Sequence, residues 1–574
     1  MVLKKMNYKA DKSPIVGIDL GTTNSAVSVY NAGTIPTLLA IGKDGAFTVP
    51  SCVRWDGNDD SNKPVFTVGA EAYEQRYKSN VIYSVKRIMG KDKKISLINK
   101  GETLSVSPYV VSGEILKFIK NRVEEVYKSV DECVITVPAY FNQRQIEDTL
   151  KAAEYAGLDC KQILKEPTSA SYIYSQLGYA KDGNVVIYDL GGGTFDVTHM
   201  KFLRRDAIPK KLLTALKNMY GITMDTFNDA DINEQYFCKV IGTYGDINLG
   251  GDDIDKCFGD MLLKEAGYNV SEETREKLYL QCEKFKKANI YGMNTAIDGY
   301  KFQLTMEKLY EATDIIFSKT LELMREIDMS SVSTIVLVGG STKSQRIRDN
   351  LAKHFPNIEI SAVLDPDATV ALGAGSVSKA ISDNKTLAYS DVLPLPISIL
   401  VNEKELEVCV PKNTSMPYAA KKMFHTLYDN QTKVTLKVYQ GLTKDPRECT
   451  YLGDLTIEGV PKAPAGTVNI LVNFILNGQG QLKIVSRVDG VEKEEQLIIN
   501  NIMDIEIKSD SVVKEQEIEY GGLKALDQFE SCFLPLIWDK DGGRELILER
   551  RRRLQEDSLV DLSDLEKQLE NLLE

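Results

Sequence analysis

The sequence predicts a multidomain α/β protein, in which a duplicated half-domain is followed by a β-rich second domain and a short helical segment. Three observations carry this reading. Residues 15–30, IVGIDLGTTNSAVSVY, read as an apolar strand, a Gly-Thr turn and a second strand, with Asp19 where the first strand ends. Residues 185–200, VVIYDLGGGTFDVTHM, repeat that plan, as two half-domains sharing one design would. Beyond NKTLAYSD the texture changes to short strand-like runs broken by Gly, Asn, Asp and Pro. At 574 residues the chain is too long for a single hydrophobic core.

Between the two hairpins, ECVITVPAY reads as a strand and NQRQIEDTLKAAEYAGL as a helix whose terminal Gly157 suits a C-cap. After the second hairpin come helical stretches, TREKLYLQCEKFKKANIY and YEATDIIFSKTLELMREI, then the apolar strand STIVLVGGSTK and the segment DPDATVALGAG. This α/β portion spans 13–383. In the second domain ELEVCVP, KVTLKVYQG, TVNILVNFILN, GQLKIVSRV and EEQLIINN read as strands. Near the end, Leu562, Leu565, Leu569 and Leu572 share one helix face, and Ser563 and Glu566 have capping-box spacing.

Hydrophobic residues make up 43% and charged residues 26%, the balance of an ordinary folded chain. A net charge of -12 argues against nucleic-acid or anionic-membrane binding, which needs a positive field. The basic run Arg550-Arg551-Arg552-Arg553 lies among acidic, leucine-containing segments and reads as a solvated helix face. Nine scattered cysteines without C-x-x-C spacing point away from a disulfide framework or a zinc site, and His199, His354 and His425 are far apart. No apolar leader and no stretch of membrane-spanning length is present, so a cytoplasmic, reducing setting is expected.

The paired hairpins suggest a chemistry. Polyphosphate needs close backbone donors and hydroxyls, which Gly21, Thr22, Thr23, Gly191, Gly192, Gly193 and Thr194 supply at two turns. Asp19, Asp189 and Asp196 are then hard oxygen ligands for Mg²⁺, acting through its waters. A lone Asp-Leu-Gly is most often just a turn after a strand, and it is the repeat that gives the motif its weight.

The blocks GIDLGTTNS, VITVPAYFN, KEPTSAS, YDLGGGTFDVT, INLGGDDID, VLVGGSTK and DPDATVALGAG occur in the order seen in seventy-kilodalton heat-shock chaperones, which this chain resembles from residue 13 to about 490. The resemblance implies an actin-like nucleotide-binding ATPase domain with ribonuclease H-like halves (13–383), a linker (384–391), a β-sandwich substrate-binding domain (392–506) and a short lid-like segment (507–574). It implies ATP or ADP with Mg²⁺, admits K⁺, and gives as partners unfolded polypeptides, a J-domain co-chaperone and a nucleotide exchange factor. Lys86 would position the attacking water, Glu166 and Asp189 would orient the magnesium shell, and Thr194 would meet the phosphates. Asn24, Gly250, Gly251, Glu283, Lys286, Lys287, Gly339, Gly340, Ser341, Lys343 and Asp367 would complete the nucleotide site. Ile397, Ile399, Val401, Phe424, Leu427, Val434 and Leu436 would line the peptide channel, although alternating apolar residues in strands are mostly core.

The chain also departs from the family pattern. Ile146 and Gln162 stand where the family carries arginines used in interdomain signalling and J-domain docking, and Leu387-Ala388-Tyr389-Ser390 before Asp391 offers less apolar surface than the family linker. Lys343 replaces an arginine that stacks on adenine, a planar group that lysine lacks. The segment from Phe202 to Tyr244 is longer than usual, and the helical end is shorter, which predicts faster peptide release. Rival readings are a weakly hydrolysing nucleotide-exchange or holdase relative, a small-molecule kinase on the same duplicated fold, and a filament former. Intact Lys86, Glu166 and Thr194 count against the first, and the β-rich domain has no role in the second.

Overall fold

The apolar run IVGID forms the first strand, β1 (Ile15–Asp19), and the first sheet is built around it. The structure is a computed structural model, and it describes residues 13–30, 35–204, 236–383, 387, 389–401, 404–478, 480–488, 491 and 495–499. The lid-like segment with its leucine face, the basic run at 550–553 and residues 205–235 of the long segment lie outside the described residues. The chain divides into two compact units, Met1–Phe202 with Val240–Asn384, and Leu203–Lys239 with Lys385–Glu574.

In the first unit, β1 runs antiparallel to β2 (Asn24–Val29), which also pairs with β3 (Thr37–Leu38) and β4 (Thr48–Pro50). A small sheet of β5 (Cys52–Asn58), β6 (Pro64–Val68) and β7 (Val81–Tyr83) follows, then the hairpin β8 (Ile95–Asn99) and β9 (Glu102–Val106). On its other side β1 is parallel to β10 (Glu132–Val137), and β10 is parallel to β11 (Asp159–Lys165). Strand β10 is buried from Cys133 to Val137, on both faces, the usual condition of parallel strands.

The second sheet has the same plan. Its hairpin is β12 (Gly183–Leu190) and β13 (Phe195–Arg204), flanked by β14 (Tyr236–Asp246). After the hairpin β15 (Gly292–Ile297) and β16 (Tyr300–Thr305), β17 (Val332–Val338) runs parallel to β12, and β18 (Glu359–Ser361) parallel to β17. The strand orders β11-β10-β1-β2-β3 and β18-β17-β12-β13-β14 therefore correspond element for element.

Helices cover these sheets: α1 (Ala70–Tyr73), α2 (Pro108–Glu124), α3 (Gln143–Tyr155), α4 (Glu166–Gln176), α5 (Gly251–Ala266), α6 (Glu272–Ala288), α7 (Met306–Met324), α8 (Gln345–His354) and α9 (Thr369–Ser382). A reciprocal capping box starts α3, where the Asn142 side chain accepts from the Gln145 N–H and the Gln145 side chain accepts from the Asn142 N–H. Gly157 follows that helix at φ 69°, the left-handed stop expected of it. Ile146, on α3, is buried with Val137 and Phe141, so the apolar residue at this position is a packed core side chain.

Helix α9 packs on β1 so closely that a Cβ on Gly17 would lie 2.1 Å from the Gly375 nitrogen. Ser28 and Ser169 fasten the same helix by donating to the carbonyls of Ala371 (2.6 Å) and Val370 (2.7 Å).

The second unit opens with a short strand, β19 (Tyr389–Ser390), that runs parallel to Cys238 and Lys239 of β14, a stretch belonging to the same unit. A two-residue pair, β20 (Val392–Leu393) with β23 (Thr414–Ser415), precedes two four-stranded antiparallel sheets. One has the order β22 (Glu405–Val410), β21 (Ile397–Val401), β25 (Lys433–Gln440), β26 (Thr450–Glu458); the other β24 (Tyr418–His425), β27 (Asn469–Leu476), β28 (Leu482–Val488), β29 (Glu495–Ile499). Alternate residues of both sheets enter one apolar core, Val434, Leu436 and Val438 from the first and Ile470, Val472 and Phe474 from the second.

Gly17→Ala places a methyl group against main chain that cannot yield, and should lower the stability of the first unit by about 3 kcal/mol. A urea midpoint equal to that of the parent protein would contradict the close approach of β1 and α9.

Candidate functional site

The tips of the two hairpins meet. A Cβ on Gly192 would fall 1.8 Å from Thr23 Oγ1, and one on Gly193 would fall 2.1 Å from Thr22 Cγ2, so neither turn accepts a side chain where it faces the other. Around this junction lies a cleft of about 710 Å³ within the first unit. It is lined by Asp19, Gly21, Thr22, Thr23 and Asn24 from the first hairpin and Asp189, Gly191, Gly192 and Thr194 from the second. Lys86, Glu166, Gly251, Glu283, Lys286, Lys287, Gly339, Gly340, Ser341, Lys343 and Asp367, also singled out from the sequence, line it too. Gly193, Gly250 and Asp196 stand beside the cleft rather than in its wall.

At the bottom of the cleft, the buried Lys86 ammonium donates to the Leu20 carbonyl and to Glu166 Oε1, both at 2.5 Å. The Phe141 ring lies 5.7 Å away. Glu166 comes from the first turn of α4, directly before Pro167, which suits a helix start. The hairpin registers bring the acids together: Asp19 ends β1, while Asp189 and Asp196 stand directly opposite each other on β12 and β13. Burial, then the charge of Glu166, pushes Asp19 and Asp196 up to about 7 and Asp189 well above the carboxylate range. Asp19 accepts from the Thr136 hydroxyl at 2.9 Å, and Asp196 from the Tyr140 N–H at 3.3 Å.

The surrounding loops are tied into this geometry. Gly251 and Asp252 donate their N–H groups to the carbonyls of Gly191 (3.0 Å) and Gly192 (2.7 Å), and the Ser341 hydroxyl donates to Gly191 (2.8 Å). Gly339 approaches Asp189 so closely that a Cβ would lie 2.5 Å from its Oδ1. Lys286 is paired with Asp255 at 2.7 Å, and Lys287 with Glu283 at 2.6 Å. Burial alone would raise Glu283, but Arg76 and then Lys287 outweigh it and hold the carboxyl at about 2. Lys343 is engaged by Asp367 at 2.6 Å and Asp365 at 3.1 Å.

Several neighbours were not singled out from the sequence. Arg87 donates to the Gly193 carbonyl at 2.7 Å and pairs with Asp253 on α5, fixing one glycine turn. Tyr73 and Arg76 both donate to Glu283, from 210 and 207 residues away in the chain. Asp252, Asn289, Tyr310 and Arg346 also line the cleft.

The residues fit a hydrated divalent cation with phosphate. Among the described residues no three His, Cys, Asp or Glu side chains converge closely enough to ligate a metal directly. The buried hydroxyls of Thr22 and Thr23 have no protein partner, which leaves them available to phosphate oxygens or metal-bound water. The raised acids of the hairpins are the groups a cation would ionise.

A family model described as Hsp70 protein matches residues 15–206 and 230–528. The chain belongs to the Hsp70 family. It is a chaperone of the Hsp70 type, and both hairpins and every cleft-lining residue fall inside the matched stretches. Hsp70 proteins are generally ATPases that bind nucleotide with Mg²⁺, and they generally bind unfolded polypeptides, J-domain proteins and exchange factors. Residues 207–229 of this Hsp70 chain, inside its long segment, fall outside the match. No described helix is long and apolar enough to cross a membrane.

The residues assigned to the Hsp70 peptide channel divide into two groups. Ile397, Ile399, Val434 and Leu436 are buried in the core between the two four-stranded sheets. Val401 and Phe424 are partly buried against that core, and Leu427 is 50% exposed. A client could touch the first four only if the sheets parted, whereas Phe424 and Leu427 present surface as they stand. Gln162 is buried on β11.

Metal binding favours ionised carboxylates, so acids raised in this way would release protons if they took up Mg²⁺. The gain in ADP affinity on adding Mg²⁺ should therefore grow as pH rises from 6 to 8, the window around the value of about 7 held by Asp19 and Asp196. Titration calorimetry of ADP with and without Mg²⁺ measures that gain. A gain that stays constant across this range would rule out proton-linked binding by these acids.

Proposed function

We propose that this chain is an ATP-dependent chaperone that holds exposed apolar segments of unfolded proteins and couples their binding and release to ATP hydrolysis. The observation that carries the reading is the junction of the two glycine hairpins over the buried Lys86–Glu166 pair. The proposed divisions are an actin-like ATPase domain with ribonuclease H-like halves at 13–383, a linker at 384–391, a β-sandwich substrate domain at 392–506 and a lid-like segment at 507–574.

The glycine turns present main-chain N–H groups at close range, and Thr22, Thr23 and Thr194 add hydroxyls, a cradle for the β- and γ-phosphates of ATP. Mg²⁺ supplies charge neutralisation on the phosphates when bound, and Asp19 and Asp189, backed by Asp196, are the residues that would hold its waters. Lys86 is held by two acceptors, the Leu20 carbonyl and Glu166, and in this reading its charge faces the phosphate end. From there its ammonium orients a water for in-line attack on the γ-phosphorus and offsets negative charge developing on the transferred group. Glu166 keeps Lys86 in place and adds its own charge to the acid cluster. Lys286, Lys287, Glu283, Ser341 and Asp367 surround the nucleoside.

In the second unit, Val401, Phe424 and Leu427 offer apolar surface to a client segment, with Ile397, Ile399, Val434 and Leu436 as the packed layer behind them. Main-chain pairing with an extended peptide would supply affinity, and this apolar surface would select an apolar residue.

Single-turnover ATP hydrolysis with and without an unfolded apolar peptide tests the reading. Hydrolysis should be slow and peptide should accelerate it. Lys86→Ala should reduce the rate by about a hundredfold or more, the usual effect of removing a transition-state charge partner. A Lys86→Ala rate equal to that of the parent protein would remove Lys86 from the mechanism. Indifference to peptide would instead remove the coupling while leaving the ATPase.

A further inference from the structure

The glycine hairpins and the acids account for the phosphates and the metal but leave open what holds the base. A purine needs a flat, weakly hydrated surface. Lys343 offers none, because its ammonium is a compact charge already engaged by Asp365 and Asp367. Among the described residues that line the cleft, Tyr310 is the only aromatic side chain and Arg346 the only arginine. The Arg346 guanidinium lies over the Tyr310 ring, 5.3 Å from its centroid.

That stack is braced. Arg346 makes a two-pronged ion pair with Asp314 on α7, its Nε donating to Oδ1 at 2.8 Å, and Asn350 donates to the same oxygen at 2.7 Å. The guanidinium plane is therefore set by three side chains from two helices, α7 and α8. Tyr310 and Arg346 are also shared with a neighbouring cavity of about 630 Å³, lined by Glu307, Glu311, Asp314, Ile315 and Ser318. The pair thus forms a partition: one side belongs to the nucleotide cleft and the other to this acidic groove. With side-chain exposure of 36% for Arg346 and residue exposure of 37% for Tyr310, both remain accessible to a ligand.

We propose that the Arg346–Tyr310 stack is the base-binding wall of the cleft. The inference rests on the nucleotide reading given above. It adds that this chain recognises the base through a planar guanidinium at the start of α8, the helix that follows the glycine motif, and that Asp314 and Asn350 act as positioning residues for it. Stacking on a flat cation is tolerant of base identity, so the wall favours any purine nucleotide over a phosphate chain lacking a base.

Titration calorimetry on the full chain separates the possibilities, with MgADP and inorganic tripolyphosphate as probes. Arg346→Ala should weaken MgADP by about tenfold, the typical effect of losing one stacking partner, and by more than Lys343→Ala does. Arg346→Lys keeps the charge and the helix but loses the plane, and should weaken MgADP nearly as much. Tripolyphosphate affinity should be the same in the parent protein and in both Arg346 variants. Wild-type MgADP affinity in Arg346→Lys, or an equal loss for tripolyphosphate, would overturn the proposal by showing a role through charge alone. A parent protein that binds no MgADP would defeat the nucleotide reading itself, a different result from any of these.

Discussion

The first unit is organised around a buried imbalance of charge. Asp19, Asp189, Asp196 and Glu166 are gathered where two hairpins meet, and the cations bearing on them most directly are Lys86 and, for Asp196, Lys165. Carboxylates removed from water and set beside one another repel, which disfavours their charged forms and raises Asp19, Asp189 and Asp196 above the usual carboxylate range. The Lys86–Glu166 pair, closed further by the Leu20 carbonyl, is the part of the cluster that is satisfied without any ligand. Removing either partner would strand a buried charge, at a cost of about 3–5 kcal/mol. The local architecture follows from keeping these groups together: the strand ends that carry the acids, the side-chain-free turns that let the hairpins touch, and the Pro-headed helix that presents Glu166.

Much of this was legible in the sequence because it is local and repeated. Asp-Leu-Gly at the end of two apolar runs fixes a strand, a turn and an acid in a few residues, and its recurrence signals the second sheet. The same holds for the end of α3, which Gly157 announces. What stayed hidden depends on long-range contact. Nothing near Arg76 indicates that it meets Glu283, and nothing near Arg346 indicates that Asp314 and Tyr310 lie beside it, since no sequence period links separate elements.

The second unit shows another limit of periodicity. Alternation identifies β25 and β27 as strands with one apolar face, and both do alternate in burial. It does not distinguish a face that packs against a facing sheet from one that receives a client, because both require the same side chains. Ile399 and Leu436 therefore look alike in sequence to a pocket residue, and only the position of the opposite sheet places them in the core. Family resemblance supplied the peptide assignment, while the packing shows which of those residues are open to solvent as they stand.

The contact of α9 with β1 also bears on how the chain is made. Ser28 and Ala371, joined by a hydrogen bond, are separated by 343 residues. A ribosome adding about 5–20 residues per second needs roughly 20–70 s to pass from one to the other. Throughout that interval the first strand exists without the helix that covers it, and its apolar neighbours remain open to mispairing. A protein of the chaperone type is itself, while being translated, a nascent chain with an uncovered sheet.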